Sequence, residues 1–269
     1  MNPLRAALQL PLALPAYWRR CRAVRATMNC TAQKVSYGSH SRQYYLQVEP
    51  PAANLRPGHY AFYLHGGGWT FGRPEAFVPA AQPWLDAGYR MILPSYRRPP
   101  HVGLHRIMED CRAAIRHAAP AEPVVDVQIG GISAGAHLAA LLAPVVTDWT
   151  DAGWGRSPSA VLACAGPHSF ADLWPVGLAM SRYYAALNPV EVLPPAGRTA
   201  PRWLLLHGTK DATVASVHSE KFYRVLRQKG YAAELGILPG ATHLGAGEWM
   251  FGGPLRARVD RFIAGCQRS

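Results

Sequence analysis

Seven short runs of apolar, β-branched and aromatic residues recur along the chain, and helical patterns separate them from the third run onward. The runs cover residues 42–49, 59–65, 89–96, 124–130, 159–166, 202–208 and 232–240. Between them, residues 104–119 and 216–230 place apolar side chains at helical spacing. Strands that alternate with helices need crossover connections, which favour a mostly parallel sheet with helices on both faces. The sequence therefore predicts an α/β fold in which the early strands form an antiparallel end.

Length and composition indicate one folded unit. A chain of 269 residues, 49% of them hydrophobic, can bury a large single core. We predict a single domain over residues 1–269, with residues 1–40 packed on it as an N-terminal segment and residues 166–200 forming a small cap insertion. Two stretches, 147–158 and 166–200, interrupt the alternation. Because binding sites form at the carboxyl ends of strands in open α/β sheets, both stretches are predicted pocket walls.

The formal net charge of +12 raises the question of an anionic partner. The basic residues are mostly scattered, and no nucleic-acid-binding motif accompanies them, so no nucleic-acid partner is predicted. One local basic cluster suits an interfacial helix or, as the favoured interpretation, a solvated basic face. This cluster comprises Arg19, Arg20, Arg22 and Arg25, beside Tyr17 and Trp18.

The five cysteines are odd in number and lack C-x-x-C or metal-site spacing. They predict neither a disulfide framework nor a zinc site, and they favour a reducing, cytoplasmic location. The apolar opening at residues 4–18 is broken by Pro11 and Pro15 and is too short to span a bilayer. It has no clear cleavage site and runs into a basic segment, which disfavours a signal peptide and leaves secretion as the alternative.

The segment 128–140, "QIGGISAGAHLAA", places a serine at the turn between a predicted strand and a predicted helix. Gly131, Ser133 and Gly135 form a G-x-S-x-G pattern. A serine on such a sharp turn presents its hydroxyl at the sheet edge, and its neighbours must be small because the strand and helix backbones nearly touch. The pattern predicts that Ser133 is a nucleophile, with a glycine-rich packing turn as the structural alternative.

A serine nucleophile needs a base to take its proton and a carboxylate to orient that base. In this architecture the chain order is serine, acid, histidine. Asp211 and His243 each follow the end of a predicted strand, so we predict them as the acid and the base. His168 and Asp172 follow another strand end and are the best substitutes. His207 is weaker, because it lies within a predicted strand and precedes Asp211.

Residues 65–69, "HGGGW", directly follow the second predicted strand. Three consecutive glycines are poor strand and helix formers, so a backbone requirement must explain them. An oxyanion hole needs backbone N–H groups that no side chain obstructs. Glycines of this loop and the N–H of Ala134 can supply them, with a plain hairpin or loop as the alternative.

These motifs together resemble the α/β-hydrolases, in the small esterase branch that includes carboxylesterases and kynurenine formamidases. The resemblance covers residues 40–265. It implies Ser133, Asp211 and His243 as the catalytic residues, Gly67, Gly68 and Ala134 as the oxyanion donors, and His65 as a brace for the glycine loop. The related hormone-sensitive-lipase-like esterases typically have an asparagine where this chain has His137. A further departure is Ala215, where the pattern after the acid usually has proline.

We therefore predict a serine hydrolase that cleaves short-chain acyl or aryl esters, with no metal or organic cofactor. An arylformamidase is the alternative, because esters and activated amides pass through similar tetrahedral intermediates. A catalytically silent relative that binds a small ligand is the third hypothesis. Four aromatic residues on or near the predicted pocket loops suit an apolar or aromatic small-molecule substrate. They are Trp69, Phe71, Trp174 and Tyr183.

Overall fold

The computed structural model describes residues 3–173 and 175–265. Within these ranges the chain forms eight strands and nine α-helices, joined by short 3-10 segments. The strands are β1 Thr31–Ser36, β2 Tyr44–Glu49, β3 His59–Leu64, β4 Arg90–Pro94, β5 Asp126–Ile132, β6 Ala160–Cys164, β7 Arg202–Gly208 and β8 Ala233–Leu238. The helices are α1 Pro3–Thr27, α2 Gln82–Asp86, α3 Leu104–His117, α4 Ala134–Leu142, α5 Val146–Thr150, α6 Gly177–Tyr183, α7 Pro189–Val192, α8 Val217–Gln228 and α9 Pro254–Gly265.

The strands form one sheet in the order β1-β2-β4-β3-β5-β6-β7-β8. The β1–β2 and β2–β4 pairs are antiparallel, whereas every pairing from β4 to β8 is parallel. This arrangement confirms the predicted α/β fold with an antiparallel end. The carboxyl ends of β5, β7 and β8 lie along one edge, so the turns after them can bring distant residues together.

Each face of the sheet carries its own apolar core. Along β3, Tyr60, Phe62 and Leu64 enter one core, while Ala61 and Tyr63 enter the other, as the two-residue period of a strand requires. Helices α3, α4 and α8 cover the first face, and α1, α2 and α9 cover the second. Burial on both faces explains why these strands read as continuous apolar runs rather than as alternating ones.

Two elements near the start of the sheet were not predicted. Strand β1 has mostly exposed side chains, so it carries no apolar signal, and it is held by antiparallel pairing along its length with β2. A 3-10 segment, Pro74–Ala81, and α2 fill the stretch between β3 and β4. Three prolines in this stretch obscure its helical character at the level of sequence.

The stretch 147–158, a predicted pocket wall, places its two tryptophans in the core. Trp149 and Trp154 are fully buried and pack edge-on against Phe62 of β3, with ring centroids 5.2 Å away in both cases. Their indole N–H groups donate to the carbonyls of Leu142 and Ile115. The aromatic residues of this stretch therefore complete the core under the sheet instead of facing a ligand.

Helix α1 packs along the second face. Tyr17 and Cys21 are buried, and the Tyr17 ring meets Phe251 at a centroid distance of 5.3 Å. Arg20 forms an ion pair with Glu248 at 2.8 Å. Among the described residues, none of the helices is long and apolar enough to cross a membrane.

Candidate active site

Ser133 occupies the turn between β5 and α4 in a backbone conformation that residues other than glycine rarely adopt. Its φ is 57° and its ψ is −123°. A Cβ at Gly131 would lie 2.4 Å from the carbonyl carbon of Gly135, and a Cβ at Gly135 would lie 1.9 Å from the carbonyl oxygen of Leu64. Strand and helix are thus in direct backbone contact around the serine, which explains why both flanking positions are glycine.

Asp211 follows β7, and its buried carboxylate accepts hydrogen bonds on both oxygens. Oδ1 accepts from the backbone N–H groups of Thr213 and Val214, at 2.9 and 2.8 Å. Oδ2 accepts from His243 Nδ1 at 2.7 Å. Burial opposes ionisation, but the hydrogen bonds and the neighbouring His243 outweigh it and hold the pKa of Asp211 well below its usual value. Asp211 therefore remains an anion that fixes the His243 ring.

His207, at the end of β7, is a second histidine on the same carboxylate. Its Nε2 lies 3.2 Å from Asp211 Oδ2 and donates to the carbonyl of Val214 at 2.8 Å. Its Nδ1 accepts from the Ser219 hydroxyl at 2.7 Å. Sequence reasoning weighed His207 only as a rival base and missed this supporting contact. The sequence did offer a sign of this contact: His207 lies near the end of β7, only four residues before Asp211.

The glycine loop after β3 passes over the serine turn. A Cβ at Gly66 would lie 3.4 Å from the Ser133 Cβ, so the two backbones are close neighbours. His65 Nδ1 donates to the carbonyl of Gly66 at 2.9 Å, and its ring stacks on Tyr96 with centroids 4.5 Å apart. Burial lowers the pKa of His65 to about 4, so this histidine is neutral at physiological pH. Through these contacts His65 holds the start of the glycine loop against Tyr96.

Two further glycines shape the loop where it faces Ser133. Gly67 and Gly68 have φ values of 131° and 54°, and a Cβ at Gly67 would lie 2.1 Å from the carbonyl oxygen of Phe71. Among residues 3–173 and 175–265, the N–H groups of Gly67, Gly68 and Ala134 have no hydrogen-bond acceptor. Ala134 is also the first residue of α4, where the helix dipole favours negative charge.

Ser133, Ala134, Gly67, Gly68 and His243 line a common cavity of about 240 Å³. The surface of this cavity is mainly apolar, and α1, the glycine loop and the stretch 166–200 contribute to it. Its other apolar lining side chains are Leu10, Leu14, Trp18, Trp69, Phe71, Phe77, Ile132, Pro167, Leu173, Val176, Val214 and Leu244.

The structure brings two of the four predicted substrate-contacting aromatics to this cavity. Trp69 and Phe71 line it. Tyr183 is 68% exposed and is not among the lining residues, so it is left out of the proposed site. Trp174 lies outside the described residues. Sequence reasoning missed Leu10, Leu14 and Trp18 of α1; the apolar opening of the chain was the signal, but it was interpreted only as packing.

The substitute acid and base lie elsewhere in the structure. Asp172 accepts hydrogen bonds from Lys221 Nζ at 2.7 and 2.8 Å and from the Ser169 hydroxyl at 2.6 Å. His168 is fully buried and stacks on Phe222 at a centroid distance of 4.5 Å. Neither residue lines the cavity that contains Ser133. This geometry favours Asp211 and His243 over the substitutes.

Across the described part of the chain, the His, Cys, Asp and Glu side chains form no group of three or more that could hold a metal ion. The arrangement combines a hydroxyl on a strained turn, an imidazole held by a carboxylate, and unpaired amides facing the same cavity. Such a constellation can activate an oxygen nucleophile and stabilise an oxyanion by hydrogen bonds.

Comparison with known proteins identifies two matching families and related esterases. The prolyl oligopeptidase family matches residues 105–266, and the BD-FAE family matches residues 46–153. The esterase LipQ of Mycobacterium tuberculosis is 28% identical over 241 residues, which cover 78% of this chain and 56% of LipQ. The chain thus spans about half the length of this curated relative.

Solved structures share the fold across nearly the whole chain. A truncated carbohydrate esterase from gut microbiota has a TM-score of 0.73 at 18% identity, over 89% of this chain and 97% of its own. An inhibited form of esterase B from Lactobacillus rhamnosis has a TM-score of 0.73 at 19% identity, over 99% and 96% of the two chains. Since the prolyl oligopeptidase match covers more than half of the chain, the protein belongs to that family and has the α/β-hydrolase fold.

Proposed function

We propose that this protein hydrolyses carboxylic esters through an acyl-enzyme intermediate, with Ser133 as nucleophile, His243 as base and Asp211 as the acid that orients the base. The observation that carries the proposal is the 2.7 Å hydrogen bond from His243 Nδ1 to Asp211, beside a cavity that also contains the strained Ser133 turn. The esterase relatives support the same reaction class.

In the first half-reaction, the Ser133 hydroxyl oxygen attacks the ester carbonyl and its proton passes to His243 Nε2. The carbonyl oxygen becomes an oxyanion. When the tetrahedral intermediate collapses, the bond to the leaving oxygen breaks and protonated His243 delivers its proton to the alcohol. Water then repeats the sequence on the acyl-enzyme, which releases the acid and restores the Ser133 hydroxyl.

The N–H groups of Gly67, Gly68 and Ala134 are the proposed donors to the oxyanion. They are unpaired within the described structure and line the cavity beside Ser133. Removing one such donor from an oxyanion hole typically costs about 3 kcal/mol of transition-state stabilisation. The glycine residues keep this part of the loop free of side chains, so an oxyanion can approach the amides closely.

The proposed substrates are small esters with a short acyl or an aryl group. A cavity of about 240 Å³ with Trp69 and Phe71 in its wall suits an apolar or aromatic group of modest size.

The four described cysteines are unpaired, which supports the predicted reducing, cytoplasmic compartment.

The test compares kcat/KM for p-nitrophenyl butyrate with kcat/KM for N-formylkynurenine, with Ser133→Ala as the blank. We expect the ester to be preferred and Ser133→Ala to be inactive. A ratio that strongly favours N-formylkynurenine would replace the esterase proposal with an arylformamidase. A fluorophosphonate should add its mass to the wild type and not to Ser133→Ala; absence of labelling in both would favour a non-catalytic ligand-binding protein.

A further inference from the structure

A second cavity of about 510 Å³ adjoins the cavity that contains Ser133. Trp18, Phe71 and Gly72 line both, so the two cavities meet along the glycine loop and helix α1. A molecule that reached past these three residues from Ser133 would enter the second space. We call this second space the arginine cavity.

The two cavities differ in charge. Whereas the first has no arginine in the described part of its wall, the arginine cavity is lined by the partly buried Arg25 and the exposed Arg22 and Arg73. Among its described lining residues the single carboxylate is Glu75, which already accepts the hydrogen bond of the Tyr44 hydroxyl, whose oxygen lies 2.8 and 3.0 Å from the two carboxylate oxygens. The lining therefore carries an excess of positive charge.

Arg25 has an unmet hydrogen-bonding requirement. Its Nη1 is buried and has no hydrogen-bond partner among the described residues. Leaving a buried charged group without a partner is costly, and a bound anion would accept a hydrogen bond from Arg25 Nη1.

By contrast, other arginines of α1 are solvated or paired. Arg19 is exposed and lies outside both cavities. Arg20 is exposed and paired with Glu248. Within the basic cluster that sequence analysis interpreted as a solvated face, Arg22 is exposed and Arg25 is partly buried, and these two line the arginine cavity.

We propose that the arginine cavity binds an anionic group, a carboxylate or phosphate, carried by the same ester whose carbonyl lies at Ser133. The substrate class is then an anionic ester, with its apolar part in the first cavity and its charge beside Arg25 and Arg73. This inference rests on the proposed esterase function and narrows it. Arginine suits this task because its planar fork of donors matches both anions.

The test uses pairs of esters that differ only in charge. We would measure kcat/KM for the mono-4-nitrophenyl esters of adipic and suberic acids, each with a free carboxylate at its far end, and for the corresponding methyl-capped neutral diesters. The wild type should favour the anionic member of at least one pair. Arg25→Gln and Arg73→Gln should each lower the anionic-to-neutral ratio about tenfold, since a charge-assisted hydrogen bond is lost.

Arg19→Gln is the matched control, because it removes the same charge from the same helix outside the cavity. It should leave the ratio unchanged. A ratio of one in the wild type for both pairs, or an equal fall in Arg19→Gln, would overturn the proposal. A different outcome is that Arg25→Gln and Arg73→Gln weaken binding to vesicles containing phosphatidylserine while the anionic-to-neutral ratio of kcat/KM stays unchanged. In that outcome the bound anion is a membrane headgroup, and the proposal is wrong.

A binding measurement separates this inference from the esterase proposal. In Ser133→Ala, calorimetry should show that monomethyl suberate, which is anionic, binds about tenfold more tightly than dimethyl suberate. Adding Arg25→Gln should abolish the difference, whereas adding Arg19→Gln should not. Anion-dependent binding without ester turnover in the wild type would reject the esterase function and keep the anion site. Ester turnover without any charge preference would keep the esterase function and reject the anion site.

Discussion

The Ser133 turn and the Asp211 carboxylate lie at the same edge of the sheet but are held by different forces. Around Ser133, positions are fixed by backbone atoms in contact, so that a Cβ at Gly135 would lie 1.9 Å from the Leu64 oxygen. Around Asp211, positions are fixed by hydrogen bonds from His243, Thr213 and Val214. The Ser133 turn is therefore sensitive to an added atom. The Asp211 site is sensitive to the loss of a hydrogen-bond donor or of the carboxylate charge.

The largest effect is expected when an atom is added to the serine turn. Gly135→Ala should lower the free energy of unfolding by about 3 kcal/mol or more, since the new methyl group collides with β3 backbone that cannot move independently. Ester hydrolysis should be lost with it. Urea denaturation and turnover of p-nitrophenyl butyrate would measure both. Gly197→Ala is the control, because a Cβ there meets no atom within 4 Å, and it should be nearly neutral.

Removal of charge on the acid side should instead abolish activity while the fold persists. Asp211→Asn should reduce kcat about 10⁴-fold, because a neutral amide no longer fixes the His243 tautomer or balances the imidazolium. Circular dichroism should show an unchanged fold. Asp172→Asn, which changes a carboxylate bound to Lys221, should keep turnover within a few fold. The reverse ranking of these two variants would move the acid to Asp172.

A smaller effect should follow when one support of the carboxylate is removed. His207→Gln takes away the contact at 3.2 Å from Asp211 but leaves the bond to His243 in place. We expect kcat to fall about tenfold with KM unchanged, because a positioning residue acts on the reaction step rather than on substrate binding. The exposed variant His101→Gln serves as the control. An equal rise in KM would indicate a general disturbance of the cavity instead.

Acid should destabilise the protein through both sets of groups, the buried histidines at higher pH than the Asp211 carboxylate. Burial lowers the pKa of His65 to about 4, below its value of about 6.5 in an unfolded chain. Between these pH values the unfolded state takes up a proton that the folded state does not, so stability is retained above pH 6.5 and is lost as the pH falls toward 4. Each such histidine contributes a slope of up to about 1.4 kcal/mol per pH unit. Burial also lowers the pKa of His137 and His218 to about 4, which adds to the slope.

Urea denaturation between pH 7 and 4.5 would measure this slope. His65→Gln should remove one histidine's share of the slope, and His101→Gln should leave the slope unchanged. The Asp211 carboxylate behaves differently, because its pKa is lowered: its stabilising contribution is present above about pH 4 and is lost only at lower pH. A stability curve that is flat from pH 7 to 4.5 would contradict the assignment of His65, His137 and His218 as buried neutral histidines.

Much of the fold and site follows from local sequence. The mostly parallel sheet is predictable because strands buried on both faces produce continuous apolar runs. Ser133, Gly131 and Gly135 are recognisable because the turn they form involves adjacent residues. Strand β1 escaped prediction because its side chains are mostly exposed and only its pairing with β2 defines it.

Sequence by itself therefore determined the α/β class, the serine turn, and Asp211 and His243 as residues at strand ends. Tertiary structure alone decided that Trp149 and Trp154 enter the core, that His207 contacts Asp211, and that the arginine cavity opens beside Ser133. Helix α1 shows the reason: Gln9 accepts a hydrogen bond from the backbone N–H of Ala212 at 3.3 Å, across more than two hundred residues of chain. Local patterns record which residues become helix or strand, but contacts between distant elements depend on how those elements pack.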